Sequence, residues 1–446
     1  MYPNPQDVLP LPSRPDVEQY RTRAKELVRA PHEGPAAVEA WAQRWITALW
    51  RTGSVDAPPA PPHARDVNRS AGQVAAFAME RLSGTRGALS QAQFVMARAH
   101  GFPSWTRLLQ HLDASTRDRS PVTLFERAAD AVVDGDLAVL SALLKIDLTL
   151  VHARSDREHG ATLLHYVSAN GVENYRQRTP SNICDIATTL LDAGADVRAT
   201  CDVYGGGADT LSLVITSAHP RTAGVQLALA DLLIARGARV TTGMVRACLA
   251  NGCPEAAVHM GTLCIARGIP LDLQELAGME RVELLADRLM ERVPSAAESG
   301  EALSMAAWYD RRESIAVLLD HGVPVDTPNG DGATALHVAC YAGREALVGM
   351  LLARGASAHH VDATYGTTPL VWALHAWLVD GKTPESGYTA IIGRLLDAGA
   401  VVKPEWIDDD RLRADERLYA RLERRAADSQ RSEVRDQSVR TETAIE

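Results

Sequence analysis

The apolar positions of this chain come in short helical bursts that end on a glycine. The phrases are LLDAGADV (Leu190–Val197), LLIARGARV (Leu232–Val240), LCIARGIPL (Leu263–Leu271), LLDHGVPV (Leu318–Val325), LLARGASA (Leu351–Ala358) and LLDAGAVV (Leu395–Val402). In each, apolar residues fall on one helix face and the glycine follows within a turn. A glycine there suits a left-handed position after the helix, where a Cβ would be strained. Each phrase therefore predicts a helix stop and a turn. Glycines 322 and 355 lie 33 residues apart and glycines 237 and 268 lie 31 apart, whereas 194 to 237 and 355 to 399 span 43 and 44. The short spacings define a period; the long ones predict the same period with an insertion.

A second phrase recurs where the following helix begins: Gly332-Ala-Thr-Ala-Leu-His337, Gly160-Ala-Thr-Leu-Leu-His165 and Gly366-Thr-Thr-Pro-Leu-Val371. Threonine caps a helix, proline fits its first turn where a missing N–H is harmless, and leucine points into the stack. With a period near 33, these phrases closely resemble the ankyrin repeat. The resemblance implies an all-α solenoid of helix-turn-helix units with hairpin-like loops over residues 120–403, built from about eight units. Gly160–Val197, Gly330–Ala358 and Tyr365–Val402 match strongly, and the middle is degenerate. In Leu124–Leu144, Gly135 and Asp136 divide two helices of a capping first unit. The resemblance also implies that His165 and His337 bridge neighbouring hairpin loops, and that turn tips and first-helix faces form a concave groove that meets a protein partner.

Outside the array, Trp41, Trp45 and Leu49 recur every four residues with Ile46 and Trp50 alongside, the pattern of a buried helix face. The reading assigns an N-terminal helical segment to 1–56, a proline-rich linker to 57–65 and a helical module to 66–118. Within it Leu89–Leu112 resembles a small module that precedes ankyrin repeats in bacterial proteins. A C-terminal helical cap is expected over 404–424 and a disordered tail over 425–446, where charges outnumber large apolar residues.

Three units carry extra residues between their two helices: Val172–Ser181, His219–Gly224 and Asp380–Tyr388. Insertions at equivalent places in a solenoid map to one edge, so the first two, from adjacent units, are expected side by side. Irregular loops on a rigid scaffold are where binding tends to sit, with Arg and Tyr as favoured anchors. Glu173, Asn174, Tyr175, Arg176, Arg178, His219 and Arg221 are the candidate binding residues on that basis. The alternative is an enzyme or small-molecule sensor in which Tyr175, Arg178, His165 and His219 converge on a pocket. Among the turn tips, His359, His360 and Asp362 place three potential ligands in four residues, read here as a solvated turn rather than a metal site.

Composition narrows the class. The chain is 446 residues with 46 % apolar and only 5 % aromatic residues, which suits closely packed short helices of Ala, Leu and Val. Its formal charge of −10 repels phosphate backbones and argues against nucleic acid as a partner. Six scattered cysteines without a C-x-x-C pair read as reduced thiols in a cytoplasmic protein. No secretory signal and no membrane-spanning run is visible. Gly205–Gly207 precedes no phosphate-binding helix, Gly381-Lys382-Thr383 lacks the earlier glycine of a P-loop, and no G-x-S-x-G or H-E-x-x-H occurs. The sequence reading is therefore a monomeric cytoplasmic scaffold that binds another protein, with no catalytic residues, cofactor or metal assigned.

Overall fold

The computed structural model describes residues 3–12, 15–52, 64–83 and 88–443. Among the described residues the secondary structure is helical apart from one short antiparallel pair, β1 (Thr200–Cys201) with β2 (Ala208–Asp209), and a bridge between Arg154 and Thr162. The chain divides into two compact units, Met1–Met244 with Asn251–His259, and Val245–Ala250 with Met260–Glu446.

The first unit opens on α1 (Val17–Glu33), α2 (Pro35–Thr52), α3 (Ala64–Leu82), α4 (Ala88–Ala99) and α5 (Trp105–Ser115). The tryptophan stripe of α2 packs against both α1 and α3. Trp41, Trp45 and Ile46 share one core with Val74 of α3, Val95 of α4 and Leu108 of α5. The described parts of 1–56 and 66–118, set apart in the sequence, thus form one body, because the stripe is covered by more than one partner helix. Of the proline-rich stretch 57–65, residues 57–63 lie outside the described residues, and Ala64 and Arg65 begin α3. His100 is buried in this core between the Tyr20 hydroxyl (3.0 Å from Nε2) and the Leu9 carbonyl (3.1 Å from Nδ1). A carbonyl only accepts, so Nδ1 carries the proton and Tyr20 donates to Nε2.

Three helix pairs follow: α6 (Pro121–Asp134) with α7 (Leu137–Ile146), α8 (Leu163–Tyr166) with α9 (Ile183–Asp192), and α10 (Thr210–Ile215) with α12 (Gln226–Ala235), the short α11 (Ala218–Thr222) lying within the third. First helices pack on first helices (α6 on α8, α8 on α10) and second on second (α7 on α9, α9 on α12). Each unit thereby covers the apolar face its neighbour cannot bury alone. Gly135, between α6 and α7, has φ +75°, and a Cβ there would stand 2.4 Å from Asn182 Oδ1 and 2.7 Å from Pro180 Cβ. The end of the first insertion is seated on that corner, with Asn182 Nδ2 donating to the Gly135 carbonyl at 2.8 Å.

Helices α13 (Met244–Ala250) and α14 (Pro254–Ala266) are divided between the units. The second unit continues with α15 (Leu273–Gly278), α16 (Val282–Glu291), α17 (Ala296–Trp308), α18 (Arg312–Asp320), α19 (Ala335–Tyr341), α20 (Glu345–Ala353), α21 (Pro369–Leu374), α22 (Glu385–Asp397), α23 (Asp410–Ala414) and α24 (Glu416–Thr443). Here α15, α17, α19 and α21 pack in sequence, as do α16 with α18 and α20 with α22 and then α24. The unit with the weakest pattern, Leu273–Leu289, still forms α15 and α16. Asp272 and Glu275 make reciprocal cap bonds across its start, 2.8 and 2.9 Å, satisfying backbone donors that the helix leaves open. All six phrase-ending glycines (Gly194, Gly237, Gly268, Gly322, Gly355 and Gly399) have positive φ. One difference concerns the end of the chain. Helix α24 runs to Thr443, through the described part of the tail expected to be disordered over 425–446, because the run is rich in Ala, Arg, Glu and Gln, which favour helix.

Both motif histidines cap the start of their own helix through Nδ1. His337 Nδ1 accepts from Thr334 N–H (3.2 Å) and lies 2.9 Å from its hydroxyl, which leaves Nε2 to donate to the Thr367 carbonyl of the next repeat at 3.2 Å. His165 Nδ1 takes the same place over Thr162, 3.1 Å from N and 2.8 Å from Oγ1. Burial pushes the pKa of His165 and of His337 down to about 4, and that of His100 down to about 3. These rings are neutral in the fold, whereas the unfolded chain takes up their protons below about pH 6.5. Their contribution is fully present above that pH and is lost as pH falls from about 6.5 toward 4. Each is expected to cost on the order of 2 kcal/mol near pH 5, read as a lower urea midpoint at pH 5 than at pH 7.5; equal midpoints would contradict the neutral assignment.

Candidate functional site

The first insertion does not stand out from the surface. Its short helical turn, Asn174–Arg176, folds back over α6, and Glu173 and Arg176 are 0 % and 3 % exposed. Helix α6 presents Glu126, Asp130 and Asp134 at intervals of four, one acidic face. Arg176 donates from Nη1 to Glu126 (2.7 Å) and from Nε to Asp130 (2.8 Å). Arg157, from the preceding turn, bridges Glu126 and Glu173, both at 2.8 Å, and donates to the Tyr175 hydroxyl at 3.0 Å. His111 of α5 stands 3.8 Å from Glu126, and its Nδ1 is 3.1 Å from Asp156. Burial raises the pKa of both Glu126 and Glu173, but the two guanidinium groups outweigh it and hold both carboxyls below the ordinary range. The cluster ties α5, α6, the turn bearing Arg157 and the insertion together. Its carboxylates are already bonded by arginine and offer no acidic face to a metal ion.

Glu173 and Arg176, two of the sequence-predicted binding residues, are therefore internal structural groups. Tyr175 is half-buried and engaged with Arg157. Arg178 lies nearer solvent and pairs with Asp134, the next acidic residue of α6, at 2.8 Å from Nε. Asn174, His219 and Arg221 are exposed. The first two insertions do approach one another: Gln177 and His219 line the same cleft of about 630 Å³, with Asn170, Tyr204 and Ser217. Of the four residues expected to converge on a pocket only His219 is there. Tyr175 is turned to Arg157, Arg178 to Asp134, and His165 to Thr162.

A different surface gathers in the second unit. Trp308 ends α17 and Tyr341 ends α19, and their rings stack at 6.0 Å with planes 26° apart. Tyr341 meets Trp372 of α21 edge-on at 5.8 Å, and Trp372 meets Tyr365 at 6.1 Å. Trp308 is 41 % exposed and Tyr365 72 %. Four aromatic side chains from three successive first helices and one turn thus form a continuous row, exposed at Trp308 and Tyr365 and half-buried at Tyr341 and Trp372. Asp362 fixes one end. Its carboxylate accepts from Tyr365 N–H (2.6 Å), Thr367 N–H (3.0 Å), the Thr367 hydroxyl (2.7 Å) and Trp372 Nε1 (3.1 Å). Burial raises the Asp362 pKa, yet these donors hold it well below the usual carboxylate range.

Residues 303–400, which contain this row, match the family model for ankyrin repeats in three copies. The chain carries ankyrin repeats. No curated protein matches it. Ankyrin repeats are generally protein-protein interaction modules, and in this ankyrin chain the aromatic row lies wholly inside the matched repeats. Trp308 and Tyr341 stand 33 residues apart, one repeat period, and each lies two residues before the left-handed corner of its repeat, Asp310 and Gly343. That periodicity is legible in the sequence, although none of the four aromatic residues is among its candidate binding residues. The turn at His359, His360 and Asp362 also differs from expectation: Asp362 is 2 % exposed because its carboxylate is spent on the turn and on Trp372. Among the described residues no group of three His, Cys, Asp or Glu side chains is placed to hold a metal. Nor is any described helix long and apolar enough to cross a membrane.

Proposed function

We propose that the protein is a binding scaffold whose ankyrin repeats over 303–400 engage a protein partner through the row Trp308, Tyr341, Trp372 and Tyr365. The observation that carries the reading is the exposure of linked aromatic rings on successive repeats in a chain with few aromatics. Trp and Tyr are the residues most enriched where interface energy concentrates, and fixed rings lose little conformational entropy on binding. The row is preorganised, since Asp362 clamps Trp372 and the turn bearing Tyr365. The groove side is favoured over the insertion edge because Glu173 and Arg176 are consumed inside the first unit. Six cysteines in no disulfide, five of them buried, fit action in a reducing cytoplasm. The formal charge of −10 disfavours nucleic acid as the partner.

Substituting Trp308→Ala and Tyr365→Ala together is expected to reduce capture of the partner from native lysate by tenfold or more, the effect of truncating about two interface anchors. Helical circular dichroism should stay at the wild-type level because both side chains are substantially exposed. Undiminished capture by a folded double variant would remove the row as the interface.

A further inference from the structure

The third insertion supplies a residue that the repeat architecture does not need. Lys382 lies between α21 and α22, and its backbone N–H donates to the Ala376 carbonyl at 2.9 Å. Its ammonium nitrogen sits 3.4 Å from the centroid of the Tyr341 ring and 5.3 Å from that of Trp308. The same nitrogen is 3.4 Å from the Tyr341 carbonyl oxygen. Asp380, two residues earlier, accepts from the Tyr341 hydroxyl at 2.7 Å and places a carboxylate beside the rings. Arg344, the other cation nearby, is engaged by the Trp308 carbonyl through Nε and Nη2 at 3.2 and 2.9 Å.

We propose that Trp308 and Tyr341 form a seat for a lysine or arginine side chain of the protein partner, which Lys382 fills in the free protein and vacates when the partner binds. This rests on reading the aromatic row as the partner surface, and it names the chemistry at one end of it. The face of an aromatic ring is negative and attracts a cation within about 6 Å of its centroid; here two rings share one nitrogen. The chain's own ammonium shows which chemistry the seat accepts. Lys382 is displaceable, since it is carried on an insertion by a flexible four-carbon stem rather than built into a helix. The formal charge of −10 draws a basic segment toward the surface before contact.

The test uses the full chain and two probes, N-acetyl-lysine amide and its uncharged counterpart N-acetyl-norleucine amide, titrated by tryptophan fluorescence at constant ionic strength. Lys382→Met keeps the stem and removes the charge, opening the seat. It is expected to bind the lysine amide at least about threefold more tightly than wild type, the gain of one partly exposed cation–π contact. The norleucine amide should gain nothing, and adding Trp308→Ala should abolish the gain. Equal gains for both probes would make the seat a plain apolar hollow and overturn the proposal, as would no gain for either. The two readings fail separately. If Trp308→Ala with Tyr365→Ala still captures partner while Lys382→Met gains the lysine amide, the row is not the interface and the cation seat stands alone. If capture is lost without that gain, the row stands and the seat falls.

Discussion

Arg176→Ala is expected to destabilise the first unit by about 3–5 kcal/mol, the usual cost of removing one partner from a buried ion cluster. Arg176 neutralises Glu126 and Asp130 and lies 3.5 Å from Glu173. Its loss leaves Arg157 as the one arginine, among the described residues, bonded to Glu126 and the buried Glu173, and strips half-exposed Asp130 of its partner. Arg178→Ala, two residues on, removes a pair in which both side chains are substantially exposed, and such pairs contribute at most about 1 kcal/mol. Urea unfolding of the two single variants checks this contrast directly. Similar midpoints for Arg176→Ala and wild type would mean that the cluster is not closed to solvent. A binding assay that combines both substitutions, attractive from the sequence, would confuse lost folding with lost recognition.

That contrast shows where the sequence was legible and where it was not. Features dictated by a single residue's backbone needs could be read: six glycines end helices where left-handed torsion is required, and threonine with histidine sets the start of α8 and α19. In the degenerate middle the sequence marks are weaker, and the reciprocal cap of Asp272 with Glu275 at the start of α15 came to light only in the structure. The fate of Arg176 depended on partners 46 and 50 residues earlier, and no local pattern assigns them. A signal existed nonetheless. Glu126, Asp130 and Asp134 make an acidic face on one helix, and an Arg-x-Arg loop needing counter-charges could have been set against it. The aromatic row was hidden for a related reason. Each of its residues is unremarkable within its own repeat, and only the shared repeat position of Trp308 and Tyr341 hints that they meet.

Leu336→Ala carries the second large effect. Leu336 is fully buried on α19, which packs against α17 on one side and α21 on the other. Truncation removes apolar contact and leaves a cavity between layers that the neighbouring helices cannot close without shifting, at an expected cost of about 2–5 kcal/mol. Because stability in such arrays is shared through neighbour interfaces, the loss should extend to the helices on either side. Hydrogen exchange would then accelerate in α17 and α21 as well as in α19. A cost near zero, or exchange confined to α19, would contradict the stacking register that places the aromatic row.

The row's claim to be the partner surface meets its most direct measurement when the two candidate surfaces are set against each other in one capture experiment. Wild type, Trp308→Ala with Tyr365→Ala, and Arg178→Ala with Arg221→Ala are each used as bait in native lysate, with folding checked by circular dichroism. The aromatic pair is expected to lose the partner and the arginine pair at the insertion edge to retain it. Retention by the aromatic pair with loss by the arginine pair would contradict that claim and move the interface to the first unit.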